Sequence, residues 1–216
     1  MTTQTDDFDI SPFRSPEEKA RKKGLKREAV LRSAVRTFNL RGFQAASLDE
    51  VAANLKISKP TIYRYLGNKK QVLIECVTRG LELLQAAAAD AQAEPGSGLT
   101  RLTRFLRRYA EINMDDFGRC VIRTDDTILS PEGRAHFRAL KAKIDRAMRA
   151  LISDGVEDGS IAPVDVKMTA FALAGALNWP AMWHNRSGEH SADVIARSIV
   201  DVLVRGLAPR DRVDSA

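Results

Sequence analysis

Five side chains between residues 59 and 65 combine positive charge, a hydroxyl and aromatic rings in an arrangement suited to contacting DNA. If this segment is helical, Ile62 and Leu66 turn one face inward. The outward positions then carry Lys59, Thr61, Tyr63, Arg64 and Tyr65. Lysine and arginine bind phosphates, and arginine can also donate to base edges in the major groove. The set predicts a recognition helix, although an ordinary helical hairpin with a solvated basic face has the same spacing.

A second short helix is predicted just before this one. Ser47 and Glu50 have the spacing of a capping box, in which each side chain bonds to the other residue's backbone N–H. Leu48, Val51, Ala52 and Leu55 then share one face. Ser58 is expected to cap the following helix, whose first turn tolerates Pro60. Two short helices joined by a tight turn predict a helix-turn-helix.

The rest of the chain is predicted to be helical, because helix formers dominate and alternating β-branched runs are absent. The first helix should run from about residue 25 to residue 40, with Gly42 as a left-handed cap and Leu31, Ala34, Val35 and Phe38 facing inward. Asn68 should cap a long fourth helix that breaks at residues 94–98. Further helices are expected near 99–115, 118–128, 131–154, 164–184 and 191–207, with a kink at Pro180.

Charge distribution favours a polyanionic partner. The 216 residues carry a formal charge of +6, and six basic residues without an acid lie between Lys19 and Arg27. From this cluster we expect DNA contacts by Lys22, Lys23 and Lys26. The sequence shows no signal peptide and no stretch that could span a bilayer, so a cytoplasmic location without a membrane partner is expected.

Catalysis finds no support in the sequence. His136, His184 and His190 lack an evident nucleophile or a metal-spaced partner set. Cys76 and Cys120 are widely separated and suggest neither a disulfide framework nor a metal site. We therefore expect a protein that is not an enzyme, with no cofactor and no metal.

The N-terminal segment resembles the tetracycline-repressor-like (TetR) family of transcriptional regulators. The motif residues occur in the expected order: Phe38, Gly42, Phe43, Ser47, Val51-Ala52, Ile57-Ser58-Lys59, Thr61-Ile62-Tyr63-Arg64-Tyr65, Lys69 and Val72-Leu73. The resemblance implies an all-α fold of about nine helices, with a three-helix helix-turn-helix head and a helical-bundle body that binds an effector and dimerises. It also implies a homodimer on double-stranded DNA of two-fold symmetry, and repression relieved by a small ligand.

The same resemblance assigns the DNA contacts. By position they go to Ser47, Ser58, Lys59, Pro60, Thr61, Tyr63, Tyr65 and Lys69. Arg64 is either a guanine reader or a phosphate contact or solvated charge. Three positions depart from the family, because Lys56 and Pro60 stand where many relatives carry Gly and Leu66 replaces a common aromatic residue. The implied domains are a disordered leader (1–18), a DNA-binding domain (19–68, helix-turn-helix about 47–66), an effector and dimerisation domain (69–209) and a flexible tail (210–216).

The C-terminal half resembles TetR relatives of fatty-acid or steroid catabolism, which often respond to acyl-CoA thioesters. Phe117-Gly118-Arg119, Asp125-Asp126 and the runs 147–159 and 175–179 carry this likeness. It implies a hydrophobic effector held by Tyr109, Met114, Phe117, Val121, Trp179 and Met182, with Arg119 and Arg123 meeting its phosphates or pantetheine. The apolar set could equally be core, and the two arginines could pair with Asp115 and Asp116.

The dimer interface is expected in the last two helices, at Trp183, Ile195, Ile199 and Leu203. Trp179 fits either the effector site or the interface. The leading function is thus a ligand-responsive, sequence-specific DNA-binding repressor. A helical small-molecule binding protein with a vestigial DNA head is the alternative, and the retained Lys59, Tyr63, Arg64 and Lys69 argue against it.

Overall fold

The computed structural model describes residues 16–208, apart from the side chains of Pro16 and Lys19. Residues 1–15 of the expected leader and the expected tail lie outside this range. The helices are α1 (Pro16–Ala45), α2 (Leu48–Asn54), α3 (Lys59–Leu66), α4 (Lys69–Ala93), α5 (Gly98–Met114), α6 (Asp116–Arg123), α7 (Pro131–Glu157), α8 (Val166–Asn178), α9 (Pro180–Trp183) and α10 (Ala192–Arg205), with a 3₁₀ turn at Asp126–Ile128. The predicted all-α class is confirmed.

Three boundaries differ from the prediction. α1 begins at Pro16 instead of near residue 25, so the end of the expected leader is helical; Glu17 and Glu18 suit a first turn because acids favour a helix N-terminus. The helix expected at 118–128 is divided into α6 and the 3₁₀ turn. The helix expected at 164–184 is divided at Trp179, because Pro180 lacks the N–H needed to continue α8.

α1 and α4 join the helix-turn-helix head, formed by α1 to α3, to the body formed by the later helices. The predicted inward face of α1, Leu31, Ala34, Val35 and Phe38, is buried, as expected. Gly42 takes a positive φ of 73°, which ends the regular part of α1 as predicted. Asn68 and Gln71 form a reciprocal capping box at the start of α4. α4 then packs along α5, α6 and α7, so one continuous core connects the head with the body.

The body is closely packed around α4 and α6. A Cβ added at Gly80 of α4 would lie 2.7 Å from the carbonyl oxygen of Phe117, so the two helix backbones approach directly. Cys76 and Cys120 are buried thiols in the same region, and burial raises the pKa of Cys120 to about 12. Among the described helices, none combines the length and the apolar character required to cross a bilayer.

Candidate DNA interface and ligand cavity

α2 is positioned by its cap and its buried face. The Ser47 hydroxyl accepts a hydrogen bond from the Asp49 N–H at 3.0 Å. The predicted capping box is not completed by Glu50, whose carboxylate instead accepts from Arg41 of α1 at 3.3 Å. Leu48, Val51 and Ala52 are buried as predicted, and Leu55 is half-buried. The cap and the ion pair together hold the start of α2 against α1.

The turn between α2 and α3 is tight and partly strained. Lys56 has a φ of 54°, and within the described residues it is the only non-glycine with positive φ. Its neighbour Ile57 donates its N–H to the Ala52 carbonyl at 3.0 Å and closes the turn. A side chain in this conformation costs roughly 1 kcal/mol relative to glycine. The strain is offset by the packing of the two helices that the turn joins.

α3 presents its polar face to solvent. Ile62 and Leu66 are buried, as the spacing predicted. Ser58 stands at the N-cap position, but the predicted side-chain cap is not formed, because its hydroxyl lies 2.8 Å from the Thr61 hydroxyl and bonds to no backbone N–H. Pro60 occupies the first turn, where its missing N–H costs little. The solvent-exposed residues of this face are Ser58, Lys59, Pro60, Tyr63 and Arg64, while Thr61 and Tyr65 are half-buried.

Intramolecular partners engage the cations of this surface. The Lys59 ammonium forms an ion pair with Asp49 of α2, and that hydrogen bond raises the pKa of Lys59. The Arg64 guanidinium lies 5.5 Å from the centre of the Tyr65 ring. These contacts orient both side chains without burying them, so both remain accessible to a duplex.

Lys69 connects the start of α4 to the end of α1. Its ammonium donates to the Gln44 carbonyl at 3.1 Å and lies 4.5 Å from the centre of the Phe43 ring. Lys22, Lys23 and Lys26 are exposed on the first turns of α1, outside the helix-turn-helix.

A cavity of about 370 Å³ lies among the helices of the body. Its wall is formed by Leu81, Leu84, Tyr109, Val121, Ile122, Thr124, Lys141, Ala142, Ile144, Asp145, Met148, Ala170, Phe171, Ala174 and Asn178. Two of the residues expected at the effector site, Tyr109 and Val121, belong to this wall. Met114 and Phe117 lie in the core instead, and Trp179 and Met182 are exposed outside the cavity.

One side of this cavity carries a polar network that the sequence did not reveal. The Asn178 side-chain oxygen accepts from the Tyr109 hydroxyl at 2.9 Å and from the Asn113 amide at 3.0 Å. Burial raises the pKa of Tyr109, so its hydroxyl stays protonated and can donate. The wall thus combines mostly apolar side chains with this hydrogen-bonding group and with Thr124, Lys141 and Asp145, and such a combination is typical of a small-molecule site.

Arg119 and Arg123 bind backbone carbonyls rather than Asp115 or Asp116. Arg119 donates to the carbonyl of His184 at 2.9 Å. Arg123 donates to the Asn39 carbonyl at 2.8 Å and to the Met182 carbonyl at 2.9 Å. The two arginines thus tie α6 to the region around α9, and Arg123 also reaches α1, away from the cavity wall.

α8 and α9 expose an apolar face, defined by Met168, Phe171, Trp179, Met182 and Trp183. Its members recur at helical spacing, yet the sequence pattern predicted a binding role only for the last three. On α10, Ile195 is buried within the subunit, whereas Ile199 and Leu203 are half-buried against the core. Val194 and Val202 are the exposed apolar residues of that helix.

Comparisons with known proteins agree with this architecture. Residues 30–76 match the family model described as bacterial regulatory proteins, tetR family. Residues 95–207 match the model described as tetracyclin repressor-like, C-terminal domain. The transcriptional regulator EthR of Mycolicibacterium smegmatis is 32% identical over 164 residues, which cover 74% of this chain and 73% of the relative.

The chain belongs to the TetR family of transcriptional regulators.

Solved TetR-family structures have the same fold. PfmR of Thermus thermophilus superposes with a TM-score of 0.74 at 30% identity, covering 83% of this chain and 99% of that one. AibR, in complex with isovaleryl coenzyme A and operator DNA, gives a TM-score of 0.72 at 25% identity, covering 86% and 99%. TetR-family members are DNA-binding regulators of transcription rather than enzymes.

Proposed function

We propose that this TetR-family protein is a dimeric repressor that binds a pseudo-palindromic operator and leaves it when a small hydrophobic ligand enters the body. The observation that carries the proposal is the exposed face of α3, where Lys59, Tyr63 and Arg64 are accessible while Ile62 and Leu66 hold the helix in the core. That arrangement supplies phosphate donors and base-edge donors on one helix. A vestigial head would not need to keep them together.

We expect Lys59, Thr61, Tyr63 and Arg64 to enter the major groove. Ser47, Ser58, Pro60, Tyr65 and Lys69 would adjoin the phosphates on either side of it. Arg64 is the candidate for a guanine, because its guanidinium can meet both acceptors of that base edge. A twin subunit would place the second copy of α3 about one helical turn of DNA away.

Operator binding is the first test. Duplexes from the promoters of its own and neighbouring genes are titrated at two salt concentrations. Affinity should fall steeply with salt, while preference for one pseudo-palindrome persists. The double variant Tyr63→Ala/Arg64→Ala should lose this preference with an unchanged thermal unfolding curve. The matched control, Lys143→Ala/Arg146→Ala on exposed positions of α7, should keep it. Equal binding of all duplexes by the wild type would refute a specific regulator.

An acyl-CoA thioester is our first candidate ligand. The cavity is large enough for a short acyl chain, its wall is mainly apolar, and the similar protein AibR has been solved with isovaleryl coenzyme A. Val121 and Ile122 of the wall belong to α6, which also holds α1 through Arg123. A ligand in the cavity therefore contacts the helix that supports the DNA head.

Thermal-shift measurements test this ligand class. A cognate thioester should raise the free energy of unfolding by about 2.7 kcal/mol at a hundredfold excess over its dissociation constant. Ala174→Phe narrows the cavity and should remove the shift while operator binding is kept. If free hydrophobic compounds stabilise the protein and no thioester does, the acyl-CoA assignment is wrong, and the DNA-binding proposal stands independently.

A further inference from the structure

The first turns of α1 form a cationic helix that extends past the packed head. α1 begins at Pro16, but Val30 is the first buried residue among its described side chains, so roughly 20 Å of helix lies outside the core. Leu25 is 64% exposed, and a Cβ added at Gly24 meets no atom of the described residues within 4 Å. This part of α1 contributes little to the core that stabilises the fold.

Three lysines of this extension share one helix face. Lys22 and Lys26 are four residues apart, and Lys23 and Lys26 are three apart, so their side chains are neighbours on the helix surface. We call this set the lysine stripe. We propose that the lysine stripe binds the phosphate backbone of the duplex beyond the groove segment that α3 contacts. This inference rests on the proposed DNA-binding function and adds a second, sequence-independent contact to it.

The direction of the lysine stripe follows from the helix geometry. Arg41 follows Lys23 by about five full helical turns, so both side chains project from the same side of α1. Arg41 pairs with Glu50 of α2, which places that side toward the helix-turn-helix. Arg32 follows Lys23 by about two and a half turns, so its side chain projects from the opposite side of α1. There its guanidinium lies 5.5 Å from the Phe117 ring of α6. The stripe therefore lies on the side of α2, opposite α6.

The base of the extension is fixed to the body's central helix. Arg27 forms a bidentate ion pair with Glu75 of α4, in which Nη2 of Arg27 lies 2.7 Å from Oε2 of Glu75. Arg32 pairs with Glu28 at 3.0 Å one turn later. These contacts neutralise the cations nearest the core and hold the helix at that point. Lys22, Lys23 and Lys26 remain exposed for an external anion.

The reach of the lysine stripe matches a DNA backbone. Measured along α1, it lies roughly 22 to 29 Å from Arg41, which is less than the roughly 34 Å of one duplex turn. Phosphates within one turn of the groove segment bound by α3 are thus accessible to it. Contacts to phosphates carry no base information, so they should strengthen binding to every sequence alike.

The test is the variant Lys22→Gln/Lys23→Gln/Lys26→Gln in the full-length protein. Its affinity is measured over a range of salt for the operator duplex and for an unrelated duplex of equal length. Loss of three phosphate contacts should lower the slope of log K against log salt by about 2 to 3. Both duplexes should lose affinity by the same factor, so the preference for the operator is unchanged. An unchanged slope would overturn the proposal.

A matched control separates local contact from net charge. Arg79→Gln/Lys143→Gln/Arg146→Gln removes three exposed cations from α4 and α7 and should leave the slope unchanged. If the slope falls as much for this control as for the stripe variant, total charge causes the effect and the proposal fails. Ethylation of individual operator phosphates gives a second readout. Ethylation of phosphates outside the groove segment of α3 should weaken binding by the wild type. It should have no effect on binding by the stripe variant.

The two proposals fail in different ways. If the wild type prefers no duplex, the operator proposal fails whatever the stripe does. If the wild type prefers an operator and the stripe variant behaves like it at every salt concentration, only the lysine stripe is refuted.

Discussion

Asp49 and Lys59 form an ion pair at the edge of the helix-turn-helix. The ion pair connects α2 with the first turn of α3, and it gives the lysine a fixed position before any duplex arrives. The same carboxylate lies where phosphates are expected, so it also opposes binding. On binding to DNA, a phosphate would replace the Asp49 carboxylate as the partner of Lys59. Asp49 therefore sets how much of the Lys59 charge a duplex can use.

Replacing Asp49 with Asn should increase DNA affinity. The amide cannot neutralise Lys59, and a negative charge is removed from the expected phosphate path. We expect an increase of about two- to fivefold for any duplex at low salt, in the range of other exposed ion pairs. Titration of operator and unrelated duplexes measures it. Glu94→Gln, which breaks the surface ion pair with Arg104 far from the head, is the control and should change nothing. Weaker binding by Asp49→Asn would mean that the pair chiefly positions Lys59.

At the scale of elements, α6 occupies the junction between cavity and head. Asp116 of α6 accepts from Arg36 of α1 at 2.9 Å, and its carbonyl accepts from Asn39 at 2.8 Å. On its other side α6 packs against α4 at Gly80. A displacement of α6 would change its contacts with α1 and α4 together, because all of these groups are in direct contact.

Gly80→Ala should destabilise the protein through this contact. The added methyl would lie 2.7 Å from both the Phe117 carbonyl oxygen and the Val121 side chain, so α4 and α6 must separate. We expect the free energy of unfolding to fall by about 1 to 3 kcal/mol, as for other overpacked sites. Urea unfolding followed by circular dichroism measures it. Gly24→Ala, made on an open helix turn, should keep or slightly raise stability. Equal stability of both variants would show that α6 moves freely.

At the scale of the whole molecule, the apolar face of α8 and α9 is a candidate interaction surface. Trp179 is 65% exposed and Trp183 is 49% exposed, beside Met168, Phe171 and Met182. Contiguous exposed apolar surface of this kind marks interaction sites, and tryptophan is enriched at their energetic centres. A second copy of this chain is the partner expected for a two-fold operator. Phe171 also belongs to the cavity wall, so the interface and the ligand site would adjoin.

Trp179→Ser/Trp183→Ser should convert the dimer into a monomer. Each tryptophan at such a centre contributes about 2 kcal/mol or more to the binding free energy. The dissociation constant of the dimer should therefore rise at least about a hundredfold. Sedimentation equilibrium measures it, and operator affinity should fall with it because each half-site then binds alone. Leu25→Ser removes an exposed apolar side chain from α1 and should leave the dimer intact. A wild type that remains monomeric would refute this interface.

Local features of the fold could be predicted because they depend on residues close in sequence. Helix caps are examples: Ser47, Asn68, Ser130 and Ser191 each accept a backbone N–H at the predicted helix starts. The helix-turn-helix is another, since its candidate DNA contacts from Ser47 to Lys69 are nearly contiguous. Their spacing predicted correctly that Ile62 and Leu66 are buried and that Lys59, Tyr63 and Arg64 face solvent, whereas Thr61 and Tyr65, predicted to face outward, are half-buried.

The cavity was decided by tertiary structure alone. Helical spacing defines a face of one helix, but it does not determine which other helix meets that face. Tyr109, Val121, Phe171 and Asn178 meet because α5, α6 and α8 pack together, whereas Met114 of the same α5 turns into the core. The sequence by itself indicated the family, the all-α class and the exposed positions of α3 at which we propose DNA contacts. Only the packing of distant helices determined what lines the cavity and which carbonyls Arg119 and Arg123 bind, because those contacts join residues far apart along the chain.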